Sequence, residues 1–450
     1  MTTTNWRSAS TGDFAKKGKW DHGAPGANTD AVIAATGADY IVKVISADAA
    51  HTLTLDSANA TLLEKGQGSL DVGTLNIEAG TAVLTTANTI GSIVMTGGDL
   101  EFSSSASIGD AAISLKQAIL SATASAQVAN SIAITNGHFE VGNGATLKLD
   151  GHLTFDTATA ESLKFAYNEA GADGSGVIDL DGSMGALSAH TSISIDGVTL
   201  ATAVSNNSAF ETLISEAQSV VIRNHGVLDL THQNNVTLDV LQGTGEILNR
   251  GSHESATFVN SFYDGTIKGD FDITMEGGFF AGAIALKPGD AIHVIGGGGL
   301  GVNFKGDAPA IDLQDPQGDS GGDLSLIGAT FSGAGPAIDL GTGQDNNLKI
   351  DHTFTGTITN FGGHGGGTDH IFIYDEVGHG NPTLQYEANA EGTGGELVVQ
   401  YGTAPAFDLT LNGHYVQGDF TVDPDESDEI DCSAEQPAPH LPAHVVDALI

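Results

Sequence analysis

The residues with the clearest potential for binding chemistry are carboxylates in glycine-rich turns. Asp173-Gly-Ser-Gly176 and Asp315-Pro-Gln-Gly-Asp319 are short segments with several oxygen ligands. Hard cations such as Ca²⁺ prefer oxygen ligands, often from flexible loops. We therefore predict Asp173, Asp315 and Asp319 as metal ligands and Ca²⁺ as the cofactor. A tandem array of the calcium-binding nonapeptide Gly-Gly-x-Gly-x-Asp does not occur in the sequence.

A second group of potential metal ligands lies towards the C-terminal end: Asp351-His352, His364, Asp369-His370 and His379. Histidine-rich turns can bind transition metals. The spacing lacks the i, i+4 histidine pair of a helical site, and no C-x-x-C frame accompanies it. Solvated loop histidines are therefore the favoured alternative.

The arginines raise the question of a polysaccharide lyase. Such an enzyme needs a cation beside the uronate carboxylate and a base, commonly Arg or Lys. The chain has only Arg7, Arg223 and Arg250, and the last two lie about one turn of a solenoid apart, so they could stack on one face. Nothing else in the sequence converges on them, so ordinary surface charges are the favoured alternative.

Hydrolytic sites have weaker candidates. A glycoside hydrolase needs two carboxylates about 5 to 9.5 Å apart, and Asp179 and Asp181 alternate onto one strand face. Among 56 acidic residues such pairs arise by chance. Ser320 lies in the Gly-x-Ser-x-Gly pattern of Gly318-Asp-Ser-Gly-Gly322, but a strand-like segment follows it where a nucleophile elbow needs a helix.

The overall charge limits the partners. Lys and Arg total 15 against 56 Asp and Glu, a formal net charge of −41 at pH 7. Such a surface repels phosphate backbones, so we expect no nucleic-acid partner. The acid either binds calcium or keeps a β protein from pairing through its sheet edges, and the second alternative is favoured. No apolar run approaches the roughly 20 residues of a membrane helix, so we expect no membrane span.

The elements that must position these residues are short strands. The 61 glycines separate stretches of period-2 alternation, such as Thr52–Asp56, Ser69–Gly73 and Thr74–Glu78. Strands so short and closely spaced leave no room for crossover helices. Asn143–Leu149 and Asn224–Leu230 share a plan of turn residues followed by a strand, and such units stack to bury their apolar faces. The sequence therefore predicts an all-β β-solenoid, of the right-handed parallel β-helix type.

Some segments depart from this pattern. Ala111–Leu120 and Asn206–Gln218 carry helix formers and predict short helices. Gly296–Gly322 is rich in Gly, Asp and Pro and indicates a boundary or long loops. Residues 423–450 begin with a run of acids and predict a disordered acidic tail. We thus divide the chain into an N-terminal cap (1–50), solenoid repeats (51–295), a continuation with a closing module (296–422) and the tail.

Two sets of motifs resemble a known group of proteins. The N-terminal set is Trp6, Gly18–Trp20, Gly23–Gly26, Asp30–Ile33, His51–Leu62 and Gly68–Gly73. The C-terminal set is Phe354–Phe361, Asp369–Ile373, Leu384–Tyr386, Gly394–Val399, Leu411–Tyr415 and Asp419–Phe420. They resemble the caps of alphaproteobacterial, autotransporter-like and type I secreted β-solenoid surface repeat proteins. Asp447-Ala-Leu-Ile450 is similar to the uncleaved secretion signal of type I substrates, and a plain tail is the equal alternative.

The resemblance implies a secreted or cell-surface protein. We predict an extracellular structural or adhesive protein, such as a surface-layer, filament or matrix subunit, that self-associates as a homo-oligomer or polymer. We predict no catalytic and no cofactor-binding residues. The alternative is a β-helix protein that binds or degrades cell-surface polysaccharide, and aromatic residues lined up beside Arg223 and Arg250 would favour sugar binding.

Overall fold

The computed structural model describes residues 1–168, 175–188, 190–314, 322–341, 345–362, 368–374, 382–403, 406–423 and 429–434. The chain divides into two compact units: unit 1 is Met1–Asn234 with Gln242–Leu248, and unit 2 is Asn235–Leu241 with Asn249–Ile450. About 56% of the described residues are in strands and about 5% are in helices, arranged as a β-solenoid of about 16 turns. The predicted all-β solenoid is therefore confirmed.

The strands in the first half of the chain are β1 (Thr2–Asn5), β2 (Gly12–Asp13), β3 (Thr29–Ile33), β4 (Tyr40–Val44), β5 (Ala47–Glu64), β6 (Ser69–Leu84), β7 (Thr89–Met95), β8 (Asp99–Phe102), β9 (Ala112–Lys116), β10 (Ile119–Ala122), β11 (Ala126–Val128), β12 (Ile132–Thr135), β13 (His138–Val141), β14 (Thr146–Leu149), β15 (His152–Phe155), β16 (Ser162–Tyr167), β17 (Val177–Leu180), β18 (Ser183–Met184), β19 (Ser192–Asp196), β20 (Thr199–Ala201), β21 (Ser219–Arg223) and β22 (Val227–Asp229).

The strands that follow are β23 (Val236–Asp239), β24 (Leu241–Gly243), β25 (Glu246–Tyr263), β26 (Thr266–Phe280), β27 (Ala283–Leu286), β28 (Ala291–Ile295), β29 (Gly298–Leu300), β30 (Asn303–Phe304), β31 (Ala310–Gln314), β32 (Asp323–Ser325), β33 (Thr330–Phe331), β34 (Ala337–Asp339), β35 (Asn347–Ile350), β36 (Thr357–Thr359), β37 (Asp369–Ile373), β38 (Thr383–Ala388), β39 (Gly394–Gln400), β40 (Phe407–Asn412), β41 (Phe420–Val422) and β42 (Glu429–Cys432).

Strands of successive turns pair in parallel, so apolar residues stack in columns. In unit 1, Ala31, Leu53, Leu75 and Ile93 occupy matching positions on β3, β5, β6 and β7, with 18 to 22 residues from one to the next. In unit 2 a column of isoleucines runs through β26, β28, β31, β34 and β36: Ile273, Ile292, Ile311, Ile338 and Ile358. All of these side chains are buried, because alternate residues of each strand point into the core.

The helices are α1 (Ser105–Ile108) and α2 (Ser208–Ser215), with 3₁₀ turns at Lys17–Lys19 and Gln417–Asp419. α2 confirms one predicted helix, and the Asn207 side chain caps it by accepting the N–H groups of Ala209 and Phe210. The helix predicted at Ala111–Leu120 is wrong. This segment forms β9 and the start of β10, because Ile113 and Leu115 alternate into the core. The glycine-rich stretch 296–322 carries β29, β30 and β31.

The first strand is covered on both sides at its C-terminal end. β1 pairs with β3 on one side, and the Lys19–Gly23 segment lies along the other. The Asn5 N–H donates to Asp21 Oδ1 at 2.7 Å, and the Asp21 N–H donates to the Asn5 carbonyl at 3.1 Å. Trp6 and Trp20 are buried edge to face, with ring centroids 5.1 Å apart. The cap therefore blocks a strand edge to which another chain could add.

Antiparallel pairing dominates the C-terminal end of the chain. β38, β39 and β40 form a meander, and β42 pairs with β37 and β41. β42 lies inside the segment predicted to be a disordered tail, and the prediction is wrong there because Ile430 and Cys432 alternate into the core. The Cys432 Sγ donates to the Phe361 carbonyl at 3.3 Å. Residues 424–428 and 435–450, with the predicted secretion signal, lie outside the described residues.

Candidate functional site

Several residues that the sequence singled out lie outside the described part of the chain. These are the predicted metal ligands Asp173, Asp315 and Asp319, together with Ser320, His364 and His379. Arg223 and Arg250 belong to different units. Arg223 on β21 stands opposite Asp196 of β19 in unit 1, and Arg250 is an exposed residue of β25 in unit 2.

Asp179 and Asp181 form a carboxylate pair in unit 1. Both accept the same Ala203 N–H, at 3.0 and 2.8 Å. Lys148 Nζ lies 3.0 Å from Asp181 Oδ2. Burial, with the neighbouring Asp181, raises the pKa of Asp179 to about 6. Burial acts in the same direction on Asp181, but hydrogen bonds from Lys148 and other donors outweigh it and lower the pKa. The pair anchors the loop after β20 to β17.

A second group of acids surrounds a buried serine on another ladder of unit 1. Glu101 of β8, Ser121 of β10 and Glu140 of β13 stand in register, and Asp99 and His138 stand beside them on the same strands. Neighbouring strands are about 4.8 Å apart, so Glu101 and Glu140 face each other across one strand at about 10 Å between their Cα atoms. His138 Nε2 lies 3.2 Å from Glu140 Oε1. We call these five residues the acidic cluster.

The chain after β16 covers part of this acidic cluster. The Asn168 side chain donates to Ser121 Oγ at 2.6 Å. Burial raises the pKa of Asp99 and of Glu140, and the charge of Asp99 adds to the shift on Glu140. Burial and then the charge of Lys164 lower the pKa of His138 to about 4. A carboxyl group whose pKa is raised is a candidate for general acid catalysis.

Unit 2 carries exposed aromatic rings on one ladder. Phe262 is 63% exposed and Phe279 is 39% exposed. Their neighbours Ser261 and Gly278 are in contact, and the Tyr263 and Phe280 rings lie 6.5 Å apart, so Phe262 and Phe279 stand side by side on β25 and β26.

The row continues across the following turns through register pairs of Phe279 with Gly299, Ser325 with Lys349, and Lys349 with Phe372. We call this row the aromatic face: Phe262, Phe279, Gly299, Ser325, Lys349 and Phe372.

Glycines hold the Phe279 ring flat against the solenoid. A Cβ added at Gly299 would come within 2.3 Å of the Phe279 ring, and one at Gly301 within 2.8 Å. Any larger residue at these positions would therefore lift the ring. Further along the row, Lys349 Nζ lies 5.8 Å from the centroid of the partly exposed Phe372 ring, a cation–π contact. Polar residues of the adjacent row, including Asp323, Asn347 and His370, flank these rings.

A shallow groove crosses three parallel strands on another ladder of unit 2. Its volume is about 320 Å³. Ala291, Ala310 and Ala337 stand in line across β28, β31 and β34, and Asp312 and Asp339 stand on the same side of the strands two residues further along. The small alanine side chains leave room for the groove, and the carboxylates of Asp312 and Asp339 in its lining repel anionic ligands.

Two histidines of unit 2 each meet two carboxylates at one nitrogen. His253 Nδ1 lies 3.1 Å from both Asp270 Oδ1 and Asp290 Oδ1. His370 Nδ1 lies 2.6 Å from Glu429 Oε1 and 2.7 Å from Asp431 Oδ1. In each case the donor atoms of the three residues lie within 4.8 Å of one another. We call them the His253 cluster and the His370 cluster.

The surroundings of the His253 cluster supply further charges and donors. Lys287 Nζ lies 2.7 Å from Asp270 Oδ2, and Asp272 Oδ2 lies 3.1 Å from His253 Nε2. Asp290 accepts the N–H groups of Lys287 and Phe271 through its other oxygen. Partial burial by itself lowers the pKa of His253, but hydrogen bonds to Asp270 and Asp272 outweigh it and raise the pKa.

The comparisons with known proteins provide no family and no function for this chain. No family model, no curated protein and no solved structure matches the sequence. Among the described residues, no helix is long and apolar enough to cross a membrane. The fold and these surfaces define a β-solenoid with an aromatic face and two histidine–carboxylate clusters in unit 2.

Proposed function

We propose that the protein is an extracellular adhesive scaffold that binds a linear polysaccharide along the aromatic face of unit 2. One observation carries the proposal: Phe262 and Phe279 are exposed side by side, and glycines keep the Phe279 ring flat. Exposed aromatic rings in a defined row are a feature of binding surfaces, and flat rings pack against the apolar faces of sugar rings.

The row suits an extended polymer better than a protein partner. Its residues follow one another at the spacing of parallel strands, about 4.8 Å, in a straight line across successive turns. Hydroxyl, amide and ammonium groups of Ser325, Asn347 and Lys349 lie on or beside the line and can hydrogen-bond to sugar hydroxyls. Stable protein interfaces bury a broader area, about 800 Å² per partner.

The test of this proposal is polysaccharide binding by purified full-length protein. A gel containing one polysaccharide should retard the wild-type protein. The double variant Phe262→Ala/Phe279→Ala should bind about tenfold more weakly or worse, because each stacked ring contributes about 0.5–1.5 kcal/mol beyond its buried area.

Ile45→Ala is the matched control, because Ile45 is an exposed apolar residue of unit 1. It should migrate like the wild type. Equal retardation of all three proteins, or no retardation by any polysaccharide in a panel of neutral and anionic chains, would reject the aromatic face as the binding surface.

We also propose that the protein self-associates through the side faces of the solenoid and not through strand edges. The outer edge of β1 is covered at Asn5 by the Lys19–Gly23 segment. The edge of β38 is occupied by the Gln417 side chain, which accepts the Tyr386 N–H and donates to the Leu384 carbonyl. Secretion, the predicted calcium dependence and the location at the cell surface stay predictions.

A second candidate function, hydrolysis of a polysaccharide, is favoured by the acidic cluster of unit 1. Glu140 with its raised pKa would act as the general acid, and Asp99 or Glu101 would stand as the second carboxylate. Reducing ends released by the wild type at weakly acidic pH, and lost in Glu140→Gln, would establish hydrolysis. If no polysaccharide of the same panel gives products, hydrolysis is rejected and the scaffold is the remaining proposal.

A further inference from the structure

We propose that the His370 cluster is a binding site for a divalent transition-metal ion, with Zn²⁺ as the probe, and that the ion fastens β42 to β37. The site is separate from the calcium turns predicted in the sequence. Its ligands come from two antiparallel strands, in which His370 stands opposite Asp431 and Phe372 stands opposite Glu429.

The geometry of one nitrogen carries the inference. A single imidazole nitrogen holds at most one hydrogen, yet Nδ1 of His370 lies within 2.7 Å of oxygens from two different carboxylates. One proton cannot satisfy both contacts well, and the two carboxylates repel each other. A divalent cation in place of that proton would attract all three groups at once.

The ligand types favour a transition metal over calcium. Imidazole nitrogen with carboxylate oxygens is a common set for Zn²⁺, whereas Ca²⁺ takes oxygen ligands. Zinc bonds to these atoms at about 2.0–2.2 Å in a tetrahedral arrangement, so the nitrogen–oxygen separations would open to about 3.4 Å. The three side chains can rotate outward to make that room, because each retains some exposure to solvent.

The position of the ligands gives the ion a structural role. Glu429 and Asp431 lie on β42, and their neighbours Ile430 and Cys432 are buried. A cation shared with His370 of β37 would hold the closing strand on the solenoid, so binding of the metal and docking of β42 are coupled. Three protein ligands also leave one coordination position open, next to Phe372 of the aromatic face.

Zinc titration calorimetry on full-length protein, after chelator treatment, tests the site. Wild type should show a site whose affinity falls about tenfold or more in both His370→Asn and Asp431→Asn. His253→Asn is the matched control, because it removes a histidine from the other three-residue cluster, and its affinity should equal that of the wild type. Circular dichroism of each variant without zinc verifies the fold.

The second measurement is the protease resistance of β42 with and without zinc. If His370 only stabilised the fold and bound no metal, zinc would not change this resistance. Zinc should slow cleavage around β42 in the wild type and in His253→Asn, and leave the rate unchanged in His370→Asn. Wild type without saturable zinc binding, or His370→Asn with unchanged affinity, would overturn the proposal. So would equal losses in the His253 and His370 variants. None of these outcomes depends on polysaccharide binding.

Discussion

The His253 and His370 clusters contain the same kinds of residue, but their surroundings differ. At His253 the protein itself supplies the balancing groups: the Lys287 ammonium lies on Asp270, and two backbone N–H groups bind Asp290. At His370 the two carboxylates arrive on a closing antiparallel strand and meet at one nitrogen.

The residue types of a cluster therefore do not decide its role. Parallel stacking of successive turns brings Lys287 and two N–H donors to the first cluster, so His253 completes a network held by the fold. The same residue types on β37 and β42 approach one nitrogen more closely, at 2.6 and 2.7 Å against 3.1 Å at His253. We infer that the first cluster is a structural ion network and the second a cation site.

The largest effect on this comparison should come from Asp290→Ala. The Asp290 side chain is 3% exposed and holds His253 and two backbone N–H groups. Its removal takes an acceptor from the Phe271 N–H and one of two acceptors from the Lys287 N–H, and should cost about 3 kcal/mol of unfolding free energy. Denaturant unfolding followed by circular dichroism measures it. Asp290→Asn keeps one oxygen and should lose less, and an unchanged midpoint for the alanine variant would show that the network is not structural.

A smaller effect on stability should come from replacing one carboxylate by an amide in the presence of a chelator. The sign of this effect should differ between the two clusters. Asp431→Asn relieves repulsion at His370 and should raise stability by about 0.5 kcal/mol. Asp270→Asn removes the ionic partner of Lys287 and should lower the melting temperature. Paired thermal melts without metal make the comparison. If both variants shifted in the same direction, the distinction between the clusters would be lost.

The smallest effect concerns pH. Because the pKa of His253 is raised in the folded state, its stabilising contribution is complete below the unfolded pKa of about 6.5 and disappears as the pH rises through the folded pKa. The stability difference between wild type and His253→Asn should therefore shrink as the pH rises from 6.5. Melting curves across this interval check it, and parallel curves for the two proteins would contradict the raised pKa of His253.

The sequence predicted the strands better than it predicted the sites. Alternation at positions such as Leu53 and Leu55 encodes a half-buried strand directly, because side chains of a strand point to opposite faces. The same rule explains the error at Ala111–Leu120, where helix propensity was outweighed by the burial of Ile113 and Leu115. At Asn206–Gln218 the helix formers do fold into α2, and the Asn207 side chain caps it, so the prediction was right.

The clusters depend on register, which the sequence does not state. His253 meets Asp270 and Asp290 only because successive turns stack in one register, and the irregular length of the turns hides that alignment. His370 was noted as a potential ligand, but its partners Glu429 and Asp431 lay in a segment predicted to be disordered. The alternation of Ile430 and Cys432 was the one signal that could have revealed β42.

Anomalous diffraction from crystals of the full-length protein soaked in zinc tests the central distinction most directly. We expect one strong peak at about 2.0–2.2 Å from His370 Nδ1, in contact with Glu429 and Asp431, and no peak within the His253 cluster. A peak at His253 with none at His370, or equal occupancy of both clusters, would contradict the account.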